Sequence, residues 1–281
     1  MANSKSKLRV LAYHIVQDSV QFEQQMLMLK RSYTILDIHT LTNLISKGGL
    51  PENAILITFD DGDSSLYHKA FPILKKLRIP ATIFVITELI NSQKPFWWDE
   101  IEYYLGPEVG SKKVWEVKNW QNNQREFFLK NLRARSDKPE LLKEQLTAGQ
   151  LKEMEEYGIS IANHSHTHPM FDKSTVEELE WEMERSTGIL KGLGFTPDVF
   201  AYPNGNFSSK SETILKKYGI KQSYLFDHKL NKDGINPLRI SRLIVNDTTP
   251  IWKFKLILSG WHTRILPLTR LVAKLTGRLK K

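Results

Sequence analysis

The sequence predicts an α/β fold, a (β/α)7-type barrel forming a single domain, with a helical insertion and a basic C-terminal helical tail. Three observations predict it. Short, uniformly apolar runs alternate with stretches of helical spacing, and strands that are apolar on both faces belong to buried parallel sheets. About seven such units fit in the 281 residues, the size of one barrel. Apolar residues make up 41%, enough for a large core. Periodicity alone does not separate a closed barrel from an open sheet; the number of units favours the barrel.

The elements follow in order. Leu8–Val16 reads as the first strand and Val20–Lys30 as a helix. Ala54–Phe59 is a continuous apolar strand, Leu66–Leu77 a helix stopped before Ile79-Pro80, and Ala81–Ile86 the next strand. Residues 91–146 break the rhythm with Phe96-Trp97-Trp98, Trp115 and Trp120, and read as a helical insertion. Gln150–Tyr157 is a helix closed by Gly158, followed by the strand Ile159–Ala162. Thr175–Leu193 is a capped helix ending at Gly194. Val199–Tyr202 is a strand, Ser209–Tyr218 a helix, and Lys221–Phe226 and Arg239–Val245 the last strands. The barrel is expected over residues 1–250 and the tail over 251–281.

The chain has no cysteine, which excludes disulfides, thiolate metal sites and a cysteine nucleophile. The net charge is +9, yet residues 251–281 hold eight basic residues and no acidic one. The remainder is close to neutral, which argues against a nucleic-acid-binding domain and for a local role of the tail. Leu8–Val16, interrupted by Tyr13 and His14, is a strand and not a signal-peptide core. No run reaches the length of a membrane span. A cytoplasmic protein is the resulting expectation.

Two clusters carry chemistry. Asp60-Asp61-Gly62 follows the strand Ala54–Phe59. Adjacent carboxylates raise one another's pKa, and a cation removes that cost. Strand C-termini are where barrel enzymes place catalytic groups. An Asp-Asp-Gly surface turn is the plainer alternative. His164-Ser165-His166-Thr167-His168 follows the strand Ile159–Ala162 and holds three of the eight histidines. Imidazole is the commonest metal ligand among side chains. The spacing favours His164 and His168 as ligands, with His166 able to replace either. An Asp with two His and open positions is the pattern of a hydrolytic metal centre, whose water is acidified and whose second aspartate is free to take the proton.

These residues resemble the polysaccharide deacetylases, carbohydrate esterase family 4 with the NodB-like fold. Thr58-Phe59-Asp60-Asp61-Gly62 is similar to that family's first motif and His164–His168 to its second. The resemblance extends from about Ala54 to about Phe226. It implies a distorted barrel, removal of N-acetyl groups from amino sugars, Asp60 as general base, and Asp61, His164 and His168 as ligands of a divalent metal, expected to be zinc. The third motif departs from the family: Ala201-Tyr202-Pro203-Asn204-Gly205 has Ala201 where an arginine that orients the catalytic aspartate is usual. Arg242 is a candidate replacement. The resemblance makes the Asn204 N–H an oxyanion donor and places Tyr202 and Pro203 beside the substrate. Leu11-Ala12-Tyr13-His14 resembles the start of the permuted poly-N-acetylglucosamine deacetylases, with His14 as the general acid; His262 is the competing acid and Asp227 a weak candidate for its partner. Trp97 and Trp98 are candidate walls of a sugar subsite, and Arg242 completes the substrate-side set.

The rivals are an O-acetyl esterase or other amidase on the same metal site, and a glycan-binding protein with a relic site. The absent third-motif arginine favours the second. A glycosidase is disfavoured because adjacent Asp60 and Asp61 cannot flank opposite faces of one sugar bond. In the tail, Leu268, Leu271, Val272, Leu275 and Leu279 recur at helical spacing beside Arg270, Lys274 and Arg278. Such a segment suits an anionic membrane surface or packs on the barrel with its basic residues outward.

Overall fold

The computed structural model describes residues 7–232 and 234–261. Its sheet is parallel and curled. Strands β1 (Arg9–Tyr13), β2 (Thr34–Leu36), β3 (Ala54–Phe59), β4 (Ala81–Val85), β5 (Ile159–Asn163), β6 (Val199–Ala201), β7 (Gln222–Tyr224) and β8 (Leu243–Ile244) run in the order β7-β6-β5-β4-β3-β1-β8. The predicted seven units are this path. β2 stands off it, paired with the first half of β3, while β4 pairs with the second half.

The two ends of the path meet. Ile240 bridges Tyr224 of β7, with Leu225 N–H donating to Ile240 O at 2.8 Å and Ile240 N–H to Ser223 O at 2.9 Å. Three residues later Leu243 pairs with Leu11 of β1. One short segment thus spans the gap and makes the barrel distorted: its closing strand is two residues long instead of five or six.

The strands fill with apolar side chains because both faces are covered, and every residue of β1, β3 and β4 is buried. The outer face packs on helices α1 (Ser19–Ser32) and α3 (Phe71–Leu77), and further round on α7 (Ala148–Glu156) and α8 (Val176–Gly192). The inner face gathers Leu56, Phe84, Ala162, Ala201, Tyr224 and Ile240. The barrel interior is therefore a packed core, and a site can open only at its ends.

Sequence reading missed β2 and α2 (Ile38–Lys47). Three residues are too few to show a period of two, and α2 carries two Thr and two Ile, which lower helix propensity. The predicted helix Leu66–Leu77 is continuous but begins as a π-turn over Leu66–Ala70.

The insertion is three helices, α4 (Trp97–Leu105), α5 (Pro107–Val117) and α6 (Asn122–Ala134), around a small core of Trp97, Ile101, Val114, Val117 and Leu129. Asn91 N–H donates to Leu146 O at 3.0 Å, so the insertion closes on itself at its base. After α9 (Ser209–Lys217) and β7 the chain returns through β8 to α10 (Ile251–Ser259). α10 buries Phe254, Ile257 and Leu258, and Arg9 Nε donates to Leu258 O at 2.8 Å. The first part of the tail therefore packs on the barrel. His262 and the basic leucine-rich stretch after it lie outside the described residues.

Candidate active site

The C-terminal ends of the strands converge on one cavity of about 350 Å³. His14 follows β1, Asp60 and Asp61 follow β3, His164 and His168 follow β5, Asn204 follows β6 and Phe226 follows β7; all line it. The insertion closes one side with Phe96, Trp98, Lys118 and Lys143.

Backbone strain concentrates here. Asp61 (φ 70°), Ser165 (φ 72°), His168 (φ 56°) and Asn204 (φ 54°) are four non-glycine residues in the left-handed region. Such conformations persist where surrounding contacts impose them, and they cluster at functional sites. Gly205 (φ 74°) has a simpler reason: a Cβ there would collide with the backbone nitrogen of Phe226.

Asp61, His164 and His168 each offer one ligand atom within 4.8 Å of the others, all three residues being buried. His164 Nε2 lies 3.4 Å and His168 Nε2 3.5 Å from Asp61 Oδ1. His164 Nδ1 is 2.8 Å from Ala201 O. A carbonyl only accepts, so Nδ1 carries the proton and Nε2 presents its lone pair inward, the usual second bond of a metal-binding histidine. Asp61 Oδ1 and His168 Nδ1 are buried without a hydrogen-bond partner, although buried polar atoms are normally satisfied. A buried set of one carboxylate and two imidazoles, with an unpartnered Asp61 Oδ1 at its centre, fits a divalent cation.

Burial drives the His168 imidazole down to about 3, which keeps it neutral. Burial also raises the Asp61 carboxyl, but the facing His164 and the nearby His14 and His168 outweigh it and hold the group below its ordinary range. His164 is raised: burial lowers it, and Asp60 and Asp61 more than reverse this. His166 points elsewhere, its Nδ1 3.0 Å from Thr87 Oγ1 and its ring against Trp181. His166 therefore stands outside the Asp61–His164–His168 group.

Asp60 is held by Arg242. Arg242 Nη1 donates to Asp60 Oδ1 at 2.6 Å and Nη2 to Oδ2 at 2.7 Å, a bidentate pair. Arg242 Nε donates to Leu225 O at 2.8 Å, and the guanidinium lies over the rings of Phe84 and Phe226. Burial raises the Asp60 carboxyl, yet Arg242 and then His164 bring it below its ordinary value. The charge missing at Ala201 is supplied from the segment that closes the barrel.

The substrate-side residues divide. Arg242 is fully buried and committed to Asp60, so it orients the carboxylate and touches no substrate. Tyr202 is also fully buried, packed against Phe171 and Phe200; alternation along β6 turns it into the core, and Pro203 is buried beside it. Trp97 packs inside the insertion and also lines a second cavity beside the first. Trp98 faces the site, its ring centroid 5.0 Å from that of His168 at an interplanar angle of 64°, and stacks on Phe96 with centroids 4.9 Å apart. Asp227 bonds Ser241 Oγ at 2.9 Å and Lys229 Nζ at 3.2 Å.

Sequence reading missed the groups that hold the histidine loop. Glu182 Oε2 accepts from the His166 and Thr167 N–H groups at 2.7 and 2.9 Å. Arg125 of α6 donates to His168 O at 2.8 Å and Thr167 O at 3.4 Å. Ser165 Oγ accepts from His168 N–H at 3.0 Å. Glu182 shares the buried stripe of α8 with Leu179, Met183 and Ser186, and Arg125 that of α6 with Leu129. A charge on an otherwise apolar stripe is the signal that could have found both.

The family model described as "Polysaccharide deacetylase" matches residues 47–223. A poly-beta-1,6-N-acetyl-D-glucosamine N-deacetylase of Staphylococcus aureus (strain MSSA476) is 25% identical over 230 residues, covering 81% of this chain and 67% of its own. Two solved structures share the fold. The deacetylase PplD of Streptococcus pyogenes superposes with a TM-score of 0.67 at 20% identity, covering 90% of this chain and 99% of its own. IcaB of Ammonifex degensii gives 0.66 at 23%, covering 90% and 96%. The match to the family model spans both the aspartate pair and the histidine loop, and this chain belongs to the polysaccharide deacetylase family.

Proposed function

We propose that this protein removes N-acetyl groups from the amino sugars of a glycan, using a divalent metal, zinc, held by Asp61, His164 and His168. The observation that carries the reading is the meeting of Asp60, clamped by Arg242, with this donor set and His14 in one cavity. A cation bound there polarises the acyl carbonyl and lowers the pKa of water. Asp60, kept ionised and in a fixed plane by Arg242, accepts the proton of the attacking water. The Asn204 N–H donates to the developing oxyanion. His14 gives a proton to the departing nitrogen. Acetate and a free amine are the products. Resemblance to the staphylococcal enzyme supports a polymer of N-acetylglucosamine as the substrate class.

The test is acetate release from N-acetylglucosamine oligomers by protein as purified, after metal stripping, and after reloading with zinc. Release should vanish on stripping, return with zinc and be absent in Asp60→Asn. Zinc bound at one equivalent with no release from any amide would overturn the reading. Release from O-acetyl esters alone would then favour the esterase alternative.

We also propose peripheral contact with an anionic membrane through α10 and the residues after it. α10 exposes Trp252, Lys253 and Lys255, and Trp261 is exposed just beyond. Residues 262–281 add six basic residues and no acidic one. Tryptophan beside lysine suits the headgroup region. Co-sedimentation with anionic but not zwitterionic liposomes is expected, reduced in Trp252→Ala/Trp261→Ala; equal partitioning would remove the idea. No helix among the described residues is long and apolar enough to cross a membrane. The cytoplasmic face is the proposed side, and digestion by protease added to intact cells would contradict it.

A further inference from the structure

A second cavity of about 480 Å³ adjoins the catalytic one, sharing Phe96, Trp98 and His168 with it. We propose that this outer cavity is a binding site for additional sugar units, so that the glycan runs from the catalytic cavity across Trp98 toward Trp181. The inference rests on the deacetylase reading above and adds a direction and a chain-length requirement to it.

Three features carry it. The dividing wall is aromatic. Trp98 is partly exposed and backed by Phe96 with an interplanar angle of 8°, so it presents a rigid surface on which the C–H face of a pyranose can lie. The far rim is aromatic too, since Trp181 of α8 is 45% exposed although it borders the cavity.

Between these rims lie three ion pairs, with Glu140 as a further carboxylate. Lys94 Nζ lies 2.8 Å from Glu88 Oε1, Arg133 Nη2 2.7 Å from Glu100 Oε2, and Arg125 Nη2 3.0 Å from Glu126 Oε1. Ion pairs offer many donors and acceptors at fixed places, which suits a hydroxyl-rich ligand. The volume lies within the range of ligand sites, and the wall between the aromatic rims is rich in charged and polar side chains.

The outer cavity is also tied to the metal donors. Arg125 forms part of its wall and donates to the carbonyl of His168. Sugar bound there therefore rests against the arginine that fixes the histidine loop.

The experiment compares N-acetylglucosamine pentamer with dimer on the zinc-loaded full chain, in wild type, Trp181→Ala, Trp181→Phe and Glu88→Gln. Binding is measured by calorimetry alongside acetate release. The wild type should bind the pentamer at least tenfold more tightly than the dimer. Trp181→Ala should remove most of that difference through KM, Trp181→Phe should restore part of it, and Glu88→Gln should reduce it less. Equal affinity for both lengths in wild type overturns the assignment, as does an equal loss on both in Trp181→Ala, which marks a purely structural role. Pentamer binding without acetate release from either oligomer would sustain the outer cavity while sinking the deacetylase reading, so the two failures are told apart.

Discussion

Replacing Arg242 by methionine tests the centre of the site. The guanidinium is fully buried and makes both hydrogen bonds to Asp60 at 2.6 and 2.7 Å. Methionine preserves much of the volume but leaves the carboxylate buried without its counter-charge. Breaking one partner out of a buried pair costs about 3–5 kcal/mol. For a chain of this size each kcal/mol is worth roughly 2–4 °C, so Tm should fall by about 10 °C. The sign with pH follows from Asp60. In the wild type its pKa is depressed, so its stabilising contribution is present above the unfolded value of about 3.9 and lost as pH falls through the folded pKa. In Arg242→Met burial is opposed only by His164 and His14, so the pKa rises and the ionised carboxylate is less stabilised. The Tm gap between the two proteins should be widest near neutral pH and narrow toward pH 4. In parallel, the acid limb of the kcat/KM profile should move to higher pH, because the base ionises later. Arg242→Lys keeps the charge without the planar fork, and should shift both quantities less. Arg242→Met with an unmoved acid limb and a Tm gap independent of pH would refute the view that Arg242 sustains the charge on Asp60.

Other expectations can be checked with the same protein. Zinc at a hundred times its Kd should stabilise the fold by about 2.7 kcal/mol, and His168→Ala should abolish most of that gain in a thermal melt. Arg125→Ala removes the buried bonds to the carbonyls of Thr167 and His168; zinc affinity should drop about 10–100-fold, read by competition with a chromophoric chelator, and unchanged affinity would count against the proposed support. Glu182→Gln keeps the shape but weakens acceptance from the His166 and Thr167 N–H groups, with a smaller drop in the same assay.

Much of the site was legible because its chemistry is local in sequence. Asp60-Asp61-Gly62 and His164–His168 each sit within a few residues directly after a buried strand. Strand order then brings β3 and β5 either side of β4, and the donors meet. What was not legible is long-range. Nothing in the spacing connects Arg242 to Asp60, or Arg125 to His168, since each contact is made only when distant elements pack. The need for a cation beside Asp60 was apparent from Ala201, but its bidentate geometry was not. Tyr202 misled because an aromatic residue near a motif reads alike whether it faces a sugar or the core; only the direction of β6 distinguishes the two. The short strand β2 was missed because it exists by virtue of its neighbour β3, not of its own pattern.

The segment from Ile240 to Ile244 has a consequence for assembly. It hydrogen-bonds β7 at one end and β1 at the other, and Arg242 sits midway between those contacts. The guanidinium partner of the Asp60 carboxylate thus arrives only when the last strand docks between the first and the seventh. A chain whose barrel is still open holds Asp60 in an apolar wall without that partner, where the acid form is favoured and the base is silent. Closure of the fold and delivery of the counter-charge to Asp60 are therefore one event.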